Sequence, residues 1–403
     1  MKIFRTLAPL FVLVIGSITS AETIFVFGEE IHPVTQPVIR NGVVVVEDGT
    51  IQAVGPASMV RGQEADRVIR TTVVVPGFVD ARATVGLTGQ FNHEHDQDHL
   101  DTSEAMQPEL RAIDAYNWKE RLVEWVRGFG VTTVHTGHSP GELISGQTCI
   151  VKTAGRGLQD DLVQTCWGVS ATLGEGAQRS GSSPGNRSKA VAMLRQAMIA
   201  AEERLKKRAD TEEPNLFRNL REEMLEDIAS GERPLIVHAD RAFDISAALR
   251  LKEEFGLDVV LESAAEAHGM IEAIKEANVP IFLHPTMARG SGEKLNASFT
   301  TAAKLREAGI PVAFSTGYEA YVPKVRVLVF EAAMAIPYGL SREDALAMIT
   351  IEPAKILGIS GRVGSIEPGK DADLAFFDGD PFEWVTHCEG VMIDGQRFAQ
   401  EPR

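Results

Sequence analysis

Cysteine is scarce: the 403-residue chain has three, Cys149, Cys166 and Cys388. Three thiols exclude a disulfide-scaffolded small fold, and none sits in a Cys-x-x-Cys arrangement for zinc or redox chemistry. All three read as packing residues; in an oxidising compartment Cys149 and Cys166 could pair, leaving one thiol over. Basic residues are outnumbered, 40 Lys and Arg against 56 Asp and Glu, for a net charge of −16. That balance repels phosphates at long range and excludes nucleic acid and anionic membrane as partners. It leaves a small-molecule ligand or substrate open. Beyond the first twenty residues no long apolar run occurs, so no later segment spans a bilayer. Hydrophobic residues at 44% and charged residues at 24% exclude wholesale disorder, a coiled coil and a collagen-like fibre.

What is present begins with the N-terminus. Lys2 and Arg5 precede an apolar run from Leu7 to Ile18, followed by the small residues Thr19, Ser20 and Ala21. This order is that of a secretory signal peptide, and the segment is short for a membrane span. Residues 1–21 are therefore expected to be cleaved, leaving an exported protein, periplasmic or secreted, with no membrane attachment. No Cys follows the run, which argues against a lipid anchor.

Glu22 onward opens with short β-rich segments, Ile24–Phe27, Gly42–Glu47 and Ile51–Val54, with Asp48-Gly49 as a tight turn. Similar segments return at Leu374–Phe377 and Gly390–Ile393, with Asp394-Gly395 as another turn. Between them lie the apolar runs Val131–His135, Leu235–His238, Val259–Glu262, Ile281–His284 and Val312–Thr316. The last four are separated by amphipathic helical stretches, the rhythm of βα units around a parallel sheet. The expected fold is α/β: a (β/α)8 TIM-type barrel over 75–361, with a composite β-sandwich domain from 22–74 and 362–403. Barrel enzymes place their chemistry at the C-terminal ends of the strands. The charged run Glu202–Arg208 reads as a solvated helix face.

Several segments resemble the amidohydrolase superfamily, in particular its imidazolonepropionase-related, prolidase-like branch. They are Val74-Val75-Pro76-Gly77-Phe78-Val79-Asp80-Ala81, Pro108–Ala115, Gly130–Val134, Ile349-Thr350-Ile351-Glu352-Pro353-Ala354 and Gly364–Leu374. The tail segments are the most specific, and the resemblance spans roughly Glu22 to Phe398. It implies a hydrolase of C–N bonds in cyclic amides or dipeptide-like substrates, with one or two divalent metals such as zinc at the barrel mouth. It also implies a ligand set: His-x-His on the first strand, a lysine on the fourth, one His each on the fifth and sixth, and an Asp base ending the eighth.

Most of that set is replaced. Arg82 and Thr84 stand for His-x-His, Ser170 for the lysine, Ser263 for the sixth-strand His and Gly317 for the Asp; His238 alone is kept. One imidazole cannot hold a catalytic zinc, which needs about three protein ligands. Arg82, which stays protonated, repels a cation. The inherited metal site is read as degenerate and no cofactor is expected. His238 remains a general-base candidate, with Glu262 its nearest candidate acid or, alternatively, the ion-pair partner of Arg82. Arg82, Thr84, Ser170, Ser263 and Gly317 are expected to line a pocket for a small polar or anionic ligand.

Two other patterns bear on chemistry. His93, His95 and His99, in a loop rich in acids, form an alternative, rearranged site for zinc or another divalent metal. Gly181-Ser182-Ser183-Pro184-Gly185 matches G-x-S-x-G, but the residue after the central serine is proline, which has no N–H for an oxyanion hole. The alternative function is a catalytically inactive exported relative that binds a small polar or anionic ligand, or that partners an active paralogue; a homo-oligomer is left open.

Overall fold

The computed structural model describes residues 22–91, 93–209, 218–284, 290–318 and 328–399. The proposed signal peptide lies outside the described residues. In chain order the strands are β1 (Thr23–Ile31), β2 (Ile39–Glu47), β3 (Thr50–Pro56), β4 (Arg67–Pro76), β5 (Phe78–Ala83), β6 (Val131–Gly137), β7 (Ile144–Lys152) and β8 (Leu162–Gln164). They continue with β9 (Val169–Thr172), β10 (Leu235–His238), β11 (Val259–Ser263), β12 (Ile281–Leu283), β13 (Val312–Phe314), β14 (Leu374–Phe377), β15 (Cys388–Ile393) and β16 (Gln396–Ala399).

Two sheets result. One runs β16-β15-β14-β4-β1-β2-β3 and joins both ends of the described chain. It is one continuous hydrogen-bonded sheet whose faces serve different cores, as period-2 alternation requires. Val74, Leu374, Phe376 and Met392 pack into the sheet's own core, while Val73, Val75, Ala375 and Phe377 join the barrel's. The other sheet runs β13-β12-β11-β10-β9-β7-β6-β5, with β8 on the side of β7. A parallel bridge between Ala83 and Gly317 brings its two edges together, which nearly closes an eight-stranded barrel.

One barrel strand departs from the all-parallel expectation. β7 runs antiparallel to both β6 and β9. Only residues 138–143 connect β6 to β7, too few for the crossover that a parallel neighbour needs. The chain therefore turns straight back.

The helices around the barrel follow the apolar pattern. In Arg187–Ala209 the buried residues Ala190, Leu194, Met198 and Ala201 recur at helical spacing and form one stripe. Leu220–Ala229 is capped by Asn219, whose side chain accepts from the N–H groups of Arg221 and Glu222. Ala242–Phe255 stops at Gly256, whose φ of +67° suits the left-handed residue after a helix. No described helix is long and apolar enough to cross a membrane.

Candidate functional site

Strand alternation decides which side chains enter the barrel. Ile236, Val260, Phe282 and Ala313 share an interior core, whereas Val237, Leu261, Leu283 and Phe314 belong to the outer one. Two residues beyond each interior position lie His238, Glu262, His284 and Ser315, at the C-terminal strand ends. Ser170 lies one step lower, beside Ile236 in the register, and Thr172 is the partner of His238.

Arg82 fills the centre of this layer and is 1% exposed. Its Nη1 donates to the Ala83 carbonyl at 2.6 Å, and Nη2 reaches the His138 carbonyl and, at 3.4 Å, Ser170 Oγ. Its Nε lies 3.6 Å from Oε1 of Glu262, whose side chain is 3% exposed. Glu262 is thus the counter-ion of Arg82, and the guanidinium is taken up by protein groups on several sides. Beneath it, Asp80 accepts from the N–H and hydroxyl of Thr316 at 3.1 and 2.5 Å and from the Arg82 N–H at 3.2 Å. Burial nonetheless pushes its carboxyl up to about 7. His135, also fully buried, is bonded to the Ala81 carbonyl and the Thr148 hydroxyl. Burial, and then the nearby Arg82 charge, lower its pKa to about 3, so it is neutral.

His238 is the more accessible group, with a side chain 19% exposed. Its Nε2 lies 3.5 Å from Oδ2 of Asp240, two residues on. The other oxygen of Asp240 accepts from Ser263 Oγ at 2.6 Å and from the Ala265 N–H at 3.2 Å. Burial works against an ionised Asp240, but the His238 ring, the charge of Lys294 and the Ser263 hydroxyl outweigh it and hold the carboxyl well below its ordinary range. Ser263 and Ala264 have φ of +70° and +56°, a left-handed pair unusual for residues with side chains. That turn points the Ser263 hydroxyl at Asp240 and the His284 carbonyl, and the Ala265 N–H at Asp240.

The eighth-strand position is closed from the side. Gly317 has a φ of +61°, and a β-carbon there would sit 2.5 Å from Cδ2 of His284. The His284 ring is buried, with Nδ1 3.0 Å from the Ser315 carbonyl. Thr84 is also buried and is occupied with Thr88, 3.4 Å between hydroxyl oxygens and 3.1 Å from the Thr88 hydroxyl to the Thr84 carbonyl. The expected pocket residues are therefore parts of a hydrogen-bonded interior rather than a set of free donors.

These residues do not fit the superfamily's metal. A guanidinium stands among the would-be ligands, and the hydroxyls of Ser263 and Thr84 are committed to protein oxygens. Among the described residues no three His, Cys, Asp or Glu side chains converge as metal ligands. The His93–His99 loop does not supply them. His93 and His95 stack on the surface with ring centres 5.4 Å apart, whereas His99 is buried against Tyr318 at 4.4 Å. Residues 181–185 form a turn and loop.

Sequence reasoning missed Asp240 and His284. Asp240 follows His238 at the spacing that keeps both on one face of an extended segment, a usable signal. His284 ends its strand as His238 does. Its role depends on the approach of Gly317, which no local pattern encodes.

Comparisons with known proteins agree with this architecture. Residues 210–397 match the Amidohydrolase family. The imidazolonepropionase of Geobacillus kaustophilus is 27% identical over 396 residues, with 88% of each chain covered. That of Solibacter usitatus is 24% identical over 381 residues, again with 88% of each covered. The crystal structure of an amidohydrolase from Thermotoga maritima superposes with a TM-score of 0.87 at 28% identity, covering 94% of this chain and 100% of that one. With the barrel and the sheet built from both ends in place, these matches support assignment of the chain to the amidohydrolase superfamily, among imidazolonepropionase-like members.

Proposed function

We propose that the protein is a hydrolase of C–N bonds, acting on cyclic-amide or dipeptide-like substrates, in which the inherited metal site is degenerate. The observation that carries this reading is the His238–Asp240 pair, the partly exposed imidazole next to the buried Arg82–Glu262 pair. An ionised Asp240 favours the tautomer with the proton on Nε2, which leaves the lone pair on Nδ1, a buried atom with no hydrogen-bond partner, so the base role requires that a water be admitted beside Nδ1. Asp240 also stabilises the imidazolium that forms, and Ser263 keeps Asp240 in place. Arg82 supplies a fixed positive charge below the reacting layer. In the superfamily a divalent metal lowers the pKa of the water and polarises the carbonyl; here the protein's own groups must share that work.

A second reading is favoured by Gly317 and His284. The position of the water-activating carboxylate holds no acid, and a ring occupies the adjoining space. On that reading the chain is a catalytically inactive relative that binds a small polar or anionic ligand or partners an active paralogue. In both readings we place it outside the cytoplasm, free of the membrane once residues 1–21 are removed.

The deciding experiment combines elemental analysis of chelator-free protein with hydrolysis assays on cyclic amides and dipeptides. Turnover that survives chelation and is lost in His238→Asn supports the hydrolase reading. Stoichiometric zinc with turnover that depends on it overturns the degenerate site. Ligand binding without turnover gives the second reading.

A further inference from the structure

β7 and the segment leading into β9 run side by side. The Thr148 N–H donates to the Gly168 carbonyl at 2.9 Å and the Trp167 N–H to the Thr148 carbonyl at 2.8 Å. Further along, Ile150 is in register with Gln164. Cys149, between Thr148 and Ile150, therefore lies across from Thr165-Cys166, the two residues between Gln164 and Trp167. The Cys166 carbonyl is not part of this ladder; it accepts from the side chains of Gln164 and Arg233 at 3.1 and 2.9 Å. The two cysteines thus lie on adjacent strands where the register shifts and the Cys166 carbonyl leaves the ladder, so no pair of ladder bonds holds the strands at fixed separation there.

Side-chain direction agrees. Ile150 and Trp167 both point into the barrel and share its interior core. Their neighbours Cys149 and Cys166 must then point to the other side, and Cys149 is indeed in the outer core with Val151. Both are free thiols here. Burial, and then the proximity of Cys166, raise the pKa of the Cys149 thiol to about 12. The Cys166 thiol is partly exposed and Cys149 is not.

We infer that Cys149 and Cys166 are a disulfide site, a covalent staple across the third and fourth barrel strands, formed when the chain meets a disulfide oxidant. The thiolate of Cys166, the accessible member, attacks one sulfur of a small-molecule disulfide such as oxidised glutathione and expels one thiolate. Cys149 then attacks the Cys166 sulfur of the mixed disulfide and releases the second. Two protein thiols are oxidised by two electrons, the oxidant is reduced to two thiols, and these take up the two protons. Cys388 lies on the other sheet, on β15, and takes no part.

The test is thiol counting by mass. The full chain is refolded from the reduced, denatured state in a glutathione redox buffer, alkylated under denaturing conditions and digested. A parallel sample of native protein is incubated with oxidised glutathione without unfolding. The expected result is alkylation at Cys388 alone, with peptides carrying Cys149 and Cys166 linked. The linked protein should melt roughly 5 °C above its reduced form, and this difference should vanish in Cys166→Ser. Alkylation at all three cysteines in both samples, or a link that includes Cys388, overturns the inference.

Discussion

The Nε of Arg82 lies 3.6 Å from the Glu262 carboxylate, with both side chains almost wholly buried where the superfamily carries its metal ligands. Removing one member of such a pair strands the other charge in the interior. Arg82→Met should therefore cost about 3–5 kcal/mol of stability. The double variant Arg82→Met with Glu262→Leu should recover much of that loss, because no uncompensated charge remains. Denaturant unfolding of the four proteins gives the coupling directly. A single variant no less stable than the double one contradicts the pairing.

Gly317 and His284 make a second prediction. Restoring the superfamily's carboxylate with Gly317→Asp drives a β-carbon into the imidazole, at 2.5 Å from Cδ2. The left-handed φ of +61° adds backbone strain of its own, less for aspartate than for most residues. The clash should cost about 1–3 kcal/mol and be relieved by adding His284→Ala. Zinc content of the single variant should stay below about a tenth of an equivalent, because Arg82, Thr84, Ser170 and Ser263 still stand at the other four replaced ligand positions. Thermal melts and elemental analysis check both halves.

These two pairs also show how far the sequence could be read. The strand rhythm from Leu235 to Thr316 and the tail around Gly364–Leu374 placed the barrel and its return sheet, because alternation and turn chemistry are local. The replacement of His by Arg82 was equally visible. The counter-ion of Arg82 was legible only as an alternative, since Glu262 is distant in sequence and could equally have served His238. Asp240 went unnoticed although it sits two residues from His238. The antiparallel course of β7 was hidden for a different reason: the mixed polar and apolar segment Ile144–Lys152 carries no mark of direction, and only the short connection from Gly137 decides it.

Asp240 is predicted to act through His238. Asp240→Asn keeps the shape but removes the charge that favours the Nε2 tautomer and stabilises the imidazolium. If the protein turns over an amide, kcat should fall by about two orders of magnitude with KM little changed. The acidic limb of the pH–rate profile, which reports the base, should shift to lower pH as well. A purely structural Asp240 would lower stability and leave that profile in place. Ser263→Ala, which removes one donor to Asp240, should produce a smaller change in the same direction.

Two buried groups give the pH dependence opposite slopes. Asp80 has its folded pKa raised from 3.8 to about 7, so the folded state binds the proton more tightly than the unfolded chain. Its contribution is present below about pH 4 and is lost as pH rises through 7. His135 has its folded pKa lowered from 6.5 to about 3. Its contribution is present above 6.5 and is lost as pH falls towards 3. Compared with wild type, Asp80→Asn should lose less stability between about pH 4 and pH 7, and His135→Asn less between about pH 6.5 and pH 3. Urea titrations across that range separate the two, and identical slopes in all three proteins would contradict both assignments.

The strongest electrostatic tie between the two sheets is Lys152, at the end of β7. Its side chain is 3% exposed, and its ammonium is 2.7 Å from Asp371 and 3.1 Å from Asp373, with a third bond to Asp394. Arg156 binds Asp394 and Arg362 binds Asp371, both at 2.7 Å, so the outer carboxylates have second partners. Asp373 has Lys152 as its cation, and burial pushes its carboxyl up to about 6. Lys152→Met therefore leaves Asp373 without a counter-charge beside two other acids. It should cost about 3–5 kcal/mol, more than Arg156→Met, whose carboxylate partners retain other contacts or solvent. Because Asp373 then has every reason to take a proton, the loss should shrink as pH falls below about 6. If Lys152→Met were no more damaging at pH 8 than at pH 5, the carboxylates would not depend on this lysine, and the packing of Val73, Val75, Ala375 and Phe377 against the barrel would be what holds the sheets together.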